Sequence, residues 1–367
     1  MNLIPVTQYT YAGNELKYLQ EVLESKWLGG GPFVERFEKT FSGYCDMKYG
    51  CAVSNGTNAL YLIYKVLGIG PGDEVIVPDN TFITPASMAL HAGAKPVPVD
   101  VQSDTFNIDP VAVEKAITPR TKAIVPVHML GHPADMDEIN EIAAAHDIRV
   151  IEDAAEAHGA IYRKRKAGSL APISFFSFYG NKTIASGEGG MILSDDHEFI
   201  ETCRLQRGHG MRPEKRYWHE VIGYNYRMTD LQAAVGVAQL EKIDAFLERK
   251  HRIAKMYSEL LSGVKGIILP TVREYATHSY WMYQILVTDE FPISRDELAV
   301  ELRKKNIDTR RAFYSVHVQP PYRAEGNFPN SDICSATGLM IPMGANLTDD
   351  QVAYVADAIR GIGDQRA

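Results

Sequence analysis

The alternation of apolar and polar positions has one texture up to about residue 250 and another beyond it. Between residues 50 and 195, short β-rich runs alternate with stretches of helical period. The predicted strands are Glu74–Pro78, Pro96–Asp100, Lys122–Val127, Ile148–Glu152, Ile173–Phe178 and Gly190–Ser194. Several are apolar without alternation, as strands covered on both faces are. Between them, Thr57–Leu67 places Leu60, Ile63, Tyr64 and Leu67 on one helical face. Asp135–His146 opens with Asp135 and carries Glu138 three residues on, a variant of the capping box. Strands alternating with helices predict an α/β domain with a mostly parallel sheet. A long helix opens after Thr229, with Gln232 completing a capping box, and its pattern runs past residue 250. Beyond it, a strand at Tyr280–Val287 and helices at Ser294–Asn306 and Thr348–Gly361 predict a smaller α+β unit. The expected division is residues 1–250 and 251–367, with a helix rather than a flexible linker crossing the boundary.

Length agrees with two units, since 367 residues exceed what one core usually fills. Hydrophobic residues at 45% and charged residues at 23% are the balance of a soluble globular chain. The formal net charge of −8 and the lack of a long basic run argue against nucleic acid as a partner. No apolar run reaches bilayer length, and Met1–Gln8 lacks the pattern of a signal peptide, so a cytoplasmic protein without a membrane partner is expected. Cys45, Cys51, Cys203 and Cys334 form no C-x-x-C pair; they read as free thiols, and no metal site is expected.

Chemistry concentrates in three segments. In Ser177–Gly190, a lysine, Lys182, stands among Gly180, Gly187, Gly189 and Gly190 directly after a core strand. Glycines there permit sharp turns and close approach to a ligand. Partial burial would supply the neutral amine that attacks an aldehyde. The plain alternative is a solvated loop lysine. In Val150–Gly159, Asp153 stands at the carboxyl end of an apolar strand, where open α/β sheets bind ligands. It could face a protonated ring nitrogen or simply cap a helix. His158, in the same segment, reads more readily as a packed histidine than as a ligand. In Ser54–Thr57, the start of an amphipathic helix suits a phosphate. Gly68–Gly72 precedes a strand rather than following one, the wrong context for a dinucleotide fingerprint.

Phosphate cradle, ring-nitrogen carboxylate and aldehyde-capturing lysine, in this order, resemble the fold-type-I, aspartate-aminotransferase-like pyridoxal 5′-phosphate (PLP) enzymes. Specifically they resemble the DegT/DnrJ/StrS-type sugar aminotransferases. Further matching stretches are Pro71–Pro78, Thr81-Phe82, Pro126–Gly131, Gly223–Thr229 and His317–Tyr322, so the resemblance covers nearly the whole chain. It implies that Lys182 is the Schiff-base lysine and that Asp153 bonds the pyridine nitrogen. Glu156 matches a polar position near the cofactor hydroxyl and the incoming sugar, and Phe82 an aromatic that stacks on the ring. Gly56, Thr57 and Ser177 match phosphate ligands. Asn225 matches an asparagine that reaches the phosphate from the neighbouring subunit, which implies a homodimer with shared active sites.

The resemblance further implies L-glutamate as amino donor and a nucleotide-linked keto sugar as acceptor, in a ping-pong cycle. Within the family, Arg216–Glu220, Asn225–Thr229, Phe313, His317 and Pro320–Tyr322 are similar to the subgroup that aminates carbon 4 of GDP-4-keto-6-deoxymannose, a step toward lipopolysaccharide O-antigen. Trp27, Arg216, Tyr217, Arg310, Phe313 and His317 are then the expected sugar-nucleotide contacts, with Arg311 a further candidate for the pyrophosphate. The chain departs from that subgroup in the glycine-rich Trp27–Pro32, in Arg311 and Ser315 where prolines are usual, and in Gly344 where histidine is frequent. A UDP- or dTDP-linked sugar is the alternative. Two rivals are a sugar dehydratase of the same fold, which carries histidine where Lys182 stands, and a binding protein without turnover, which would have lost Lys182 or Asp153.

Overall fold

A computed structural model describes residues 2–11 and 13–364. Near the amino end, α1 (Glu15–Ser25) and α2 (Pro32–Tyr44) lead into β1 (Tyr49–Val53) and α3 (Gly56–Val66). There follow β2 (Glu74–Pro78), α4 (Thr84–Ala92), β3 (Lys95–Val99), α5 (Pro110–Ala116), β4 (Thr121–Ile124), α6 (Met136–Ala145) and β5 (Arg149–Asp153). A hairpin of β6 (Ile161–Tyr162) and β7 (Arg165–Lys166) precedes β8 (Ile173–Ser177) and β9 (Gly190–Ser194). The order across the main sheet is β1-β9-β8-β5-β4-β2-β3. Only β9 runs against the others, so the sheet is mostly parallel, as the alternating pattern predicts. Helices on both faces bury two apolar cores, one built around Phe37, Phe41, Phe176 and Phe178, the other around Leu60, Ile63, Val75 and Phe175.

Several boundaries differ from the sequence reading. β1 escaped prediction because Tyr49–Val53 is short and carries a glycine; it pairs with β9 along its full length. Asp135 does not cap α6 with its side chain: its carboxylate accepts the Tyr162 hydroxyl at 2.7 Å instead. The capping box of Thr229 and Gln232 forms as read, opening α8 (Asp230–Leu240). The helix then breaks at Glu241–Lys242 before α9 (Ile243–Leu260), so one predicted helix is two.

The remaining elements are α7 (His197–Arg207), β10 (Ile267–Ile268), β11 (Ala276–Thr277), β12 (Tyr283–Val287), α10 (Arg295–Lys304), β13 (Arg310–Arg311), α11 (Pro329–Thr337), β14 (Gly338–Ile341) and α12 (Asp349–Asp364). An antiparallel sheet of order β10-β12-β14-β13 packs against α9, α10 and α12 around Tyr257, Tyr283, Leu298 and Ile359. Ile4 joins this core and exchanges backbone bonds with Asn306 and Asp308. β12 begins three residues later than predicted; Tyr280, Trp281 and Met282 lie outside the strand. Among the described residues, no helix is long and apolar enough to cross a membrane, and no group of histidines, cysteines and carboxylates could hold a metal ion.

Candidate active site

The carboxyl ends of β5 and β8 and the amino end of α3 meet at one cavity of about 360 Å³. Asp153 is the last residue of β5 and Ser177 the last of β8; both line it, as do Gly56 and Thr57 in the first turn of α3. Asn55 caps that helix by accepting the Asn58 N–H at 2.8 Å. The fit around the cap is close: a Cβ on Gly190 would lie 2.5 Å from the Asn55 carbonyl, and one on Gly56 3.0 Å from Ser177 Cβ. β9 and β8 therefore press against the first turn of α3 and hold its amides at the cavity wall. Amides of a first turn lack helical partners and favour an anion.

Lys182 enters the same cavity from the loop between β8 and β9. That loop is folded back on itself: Phe178 N–H donates to the Gly189 carbonyl, Ser186 N–H to Phe178, and Lys182 N–H to Tyr179. Gly187, at φ +85°, makes the return. The Lys182 amine lies 3.7 Å from Glu156 Oε1, and Glu156 Oε2 accepts the Leu130 N–H at 2.9 Å. Asp153 Oδ1 accepts the Ala155 N–H at 3.0 Å; no helix follows it, so it is not the N-cap that its position after a strand allowed.

Burial sets the protonation of this group. It pushes Asp153 up to about 7, against the pull of the Ala155 N–H and with help from Glu156. It raises Glu156, opposed by the Lys182 charge. It lowers Lys182, opposed by Glu156 and then Asp153. The lysine is thus closer to its neutral, nucleophilic form than a surface lysine is.

Phe82, more than half exposed, stands at the cavity wall and meets Phe313 edge to face, centroids 6.0 Å apart. Arg310 reaches the cavity from β13. Nine of the residues singled out in the sequence therefore share this cavity: Gly56, Thr57, Phe82, Asp153, Glu156, Ser177, Lys182, Arg310 and Phe313. Five do not line it within one chain. Trp27 is exposed, its indole N–H turned to the Gly30 carbonyl. Arg216 packs on Tyr217, which is 75% exposed. Asn225 is exposed between Tyr224 and Tyr226, whose rings stack with centroids 4.7 Å apart. His317 is held by Asp79, its Nδ1 2.7 Å from Asp79 Oδ2. Arg311 also turns away, its guanidinium 3.3 Å over the Tyr314 ring and bonded to the Ser335 carbonyl. His158 is packed among Phe41, Phe176 and Phe178 outside the cavity, which settles it as a core histidine. Tyr179, Glu188 and Trp281 line the cavity without having been foreseen. Trp281 carries no signal in the sequence, since it reads there as part of a strand.

Comparison with known proteins agrees with this geometry. The model of the DegT/DnrJ/EryC1/StrS aminotransferase family matches residues 10–360. A GDP-perosamine synthase of Caulobacter vibrioides is 43% identical over 351 residues, 95% of each chain. The dTDP-3-amino-3,4,6-trideoxy-alpha-D-glucose transaminase of Streptomyces venezuelae is 40% identical, over 93% of this chain and 90% of its own. Among solved structures, DesV of S. venezuelae superposes with a TM-score of 0.93 at 37% identity, covering 99% of both chains. The chain belongs to the DegT/DnrJ/EryC1/StrS aminotransferase family. It is an aminotransferase, and its cofactor is pyridoxal phosphate.

Proposed function

We propose that the chain transfers an amino group from L-glutamate to carbon 4 of GDP-4-keto-6-deoxymannose, giving GDP-perosamine. The observation that carries the aminotransferase chemistry is the joint presence of the Lys182 amine, the Asp153 carboxylate and the first turn of α3 in one cavity. The choice of sugar nucleotide rests on similarity to GDP-perosamine synthases, at 43%, 40% and 38% identity.

The donor set suits pyridoxal phosphate. Gly56, Thr57 and Ser177 would hold its phosphate, Phe82 its ring face, Asp153 its ring nitrogen and Lys182 its aldehyde carbon. When bound, the cofactor supplies an electron-withdrawing ring that takes up the electrons left when a substrate carbon loses a proton. The Lys182 amine would move that proton. Asp153, which burial raises well above the ordinary carboxylate range, would face the cationic ring nitrogen as its anion. Glu156 keeps the lysine amine at 3.7 Å and lies where the incoming sugar would pass. Arg310 is the cation in this cavity best placed for a substrate carboxylate or pyrophosphate.

Trp27, Arg216, Tyr217 and Asn225 act, in this reading, from the second subunit of a homodimer. Their exposure in the single chain supports it: Tyr217, Trp218, Val221 and Ile222 form an apolar projection. In the same reading the enzyme works in the cytoplasm, and its two units divide near residue 250. The purified enzyme, given glutamate with GDP-, UDP- or dTDP-4-keto-6-deoxy sugars, should release 2-oxoglutarate fastest with the GDP-linked mannose derivative. A higher kcat/KM for a dTDP- or UDP-linked sugar would replace the GDP assignment and leave aminotransfer standing.

A further inference from the structure

Lys250 is a buried cation with no part in the chemistry above. It projects from α9 and is 4% exposed. Its Nζ donates to three backbone carbonyls: Met343 at 2.8 Å, Tyr280 at 3.2 Å and Trp281 at 3.3 Å. Burial pushes its amine down to about 7. Tyr280 has φ +50°, and β12 starts only at Tyr283. The carbonyls of Tyr280 and Trp281 thus face the lysine instead of a neighbouring strand.

Trp281 is what this clamp fixes. The residue is 3% exposed, and its indole N–H donates to the Asn181 carbonyl at 2.8 Å, one residue before Lys182. The ring face lies 4.0 Å from Lys182 Nζ. The amine therefore has a carboxylate of Glu156 on one side and an aromatic face on another.

We propose that Trp281, fixed by Lys250, is a positioning residue: its ring and Glu156 form the resting place that the Lys182 amine occupies whenever it is not bonded to the cofactor. This rests on the reading of Lys182 as the cofactor lysine. A lysine stem has four rotatable carbons, and an amine released into an open cavity must find the substrate carbon again by search. A ring face attracts the ammonium and limits that search. The groups facing the amine divide in sign. Glu156, Asp153 and the Trp281 face favour the charged form, and Arg310 opposes it. Loss of the ring removes one stabiliser of the ammonium.

The test compares the parent with Trp281→Leu, Trp281→Phe and Lys250→Met as full-length protein. With the cofactor stripped by hydroxylamine, acetic anhydride labelling of the Lys182 peptide is followed by mass spectrometry against pH. Trp281→Leu should label at least about threefold faster at pH 7.5, the scale of a lost cation–π contact. Lys250→Met should shift labelling the same way, by less. In holoenzyme, kcat should fall about tenfold or more with both KM values within about twofold. Trp281→Phe keeps a ring but loses the bond to Asn181; it should give a smaller shift in the same direction, and it decides the matter if the leucine variant does not fold. Labelling that stays level or slows in these variants, even with a lower Tm, overturns the proposal. Borohydride reduction of holoenzyme separates the two ideas: cofactor fixed to a peptide other than that of Lys182 would refute the lysine assignment, while the labelling profile still judges the Trp281 contact.

Discussion

Glu152 and Asp153 are consecutive on β5, and their carboxylates serve opposite faces of the sheet. Asp153 lines the cavity, whereas Glu152 accepts from His128 Nε2 at 2.9 Å and from the N–H groups of Gly168, Leu170 and Ala171 at 2.5, 2.8 and 3.2 Å. The two-residue period of a strand separates them. His128 Nδ1 accepts the Ala134 N–H, so the ring proton sits on Nε2 and points at Glu152. Glu152 thus ties the 168–171 turn to the strand that carries Asp153. Glu152→Gln would set an amide N–H against backbone donors and should cost about 2–4 kcal/mol. Urea unfolding of cofactor-free protein measures this; a loss under about 1 kcal/mol would count against it.

Asp153 gives the cofactor-free protein a pH dependence of known sign. Its folded value of about 7 lies above the ordinary 3.8, so between these pH values the folded state binds more protons than the unfolded one. That contribution to stability is present at low pH and is lost as pH rises from about 4 to about 7. Asp153→Asn should remove the decline. It should match the parent near pH 4 and exceed it by up to about 4 kcal/mol at pH 8, in urea titrations at the two pH values. Parallel curves for parent and variant would refute it.

His158 works in the opposite direction. Burial first, and the nearby Lys182 charge second, push it down to about 3. Between that value and the ordinary 6.5, the unfolded state binds more protons, so the parent loses stability as pH falls below about 6.5. His158→Leu, surrounded by Phe41, Phe176 and Phe178, should move the acid-unfolding midpoint to lower pH. His132, pushed down to about 4, remains and keeps part of the acid limb. An acid midpoint that rises in the variant would show that the imidazole is needed where it is.

Gly190→Ala tests the phosphate cradle without replacing a polar side chain. Its Cβ would meet the Asn55 carbonyl carbon and oxygen at 2.5 Å and the Gly56 nitrogen at 2.9 Å. Backbone cannot yield as a side chain does, so β9 and the start of α3 must separate. We expect a cost of about 1–3 kcal/mol and pyridoxal phosphate affinity at least about tenfold weaker by equilibrium titration. Unaltered affinity would mean that the first turn of α3 does not bind the phosphate.

Asp79 fastens the segment that carries Phe313 to the end of β2. The Val316 N–H donates to its carbonyl at 2.7 Å, the His317 N–H to Oδ1 at 2.8 Å, and His317 Nδ1 lies 2.7 Å from Oδ2. His317 also stacks on Phe328 at 4.4 Å. Asp79→Asn removes the charge from the two contacts with His317, leaves the backbone bond to Val316, and should raise amide exchange across residues 313–322 by about tenfold, with exchange in β2 unaltered, on the scale of a lost charged hydrogen bond. Equal exchange in parent and variant would show that the Asp79 carboxylate does not hold the segment.

The sequence by itself determined what local chemistry controls. Apolar runs gave Glu74–Pro78 and Gly190–Ser194 to the residue, Thr229 and Gln232 formed their capping box, and the glycines around Lys182 placed it in a tight loop after a core strand. Asp153 at the end of its strand was legible for the same reason: strand ends are local, and ligands bind there in such sheets. Tertiary structure decided whatever depends on segments far apart in the chain. Trp281, Arg310 and Phe313 reach the cavity from the carboxyl-terminal region, more than 90 residues beyond Lys182, because Trp281, Met282 and Phe313 pack with Val127, Met129 and Leu130 after β4. The Asp135 side chain left its expected cap because the Tyr162 hydroxyl competes for it, and the helix after Thr229 broke at Glu241–Lys242, where no glycine or proline announces a stop. Periodicity reports which face of an element is buried; it carries no information on which distant side chain covers it.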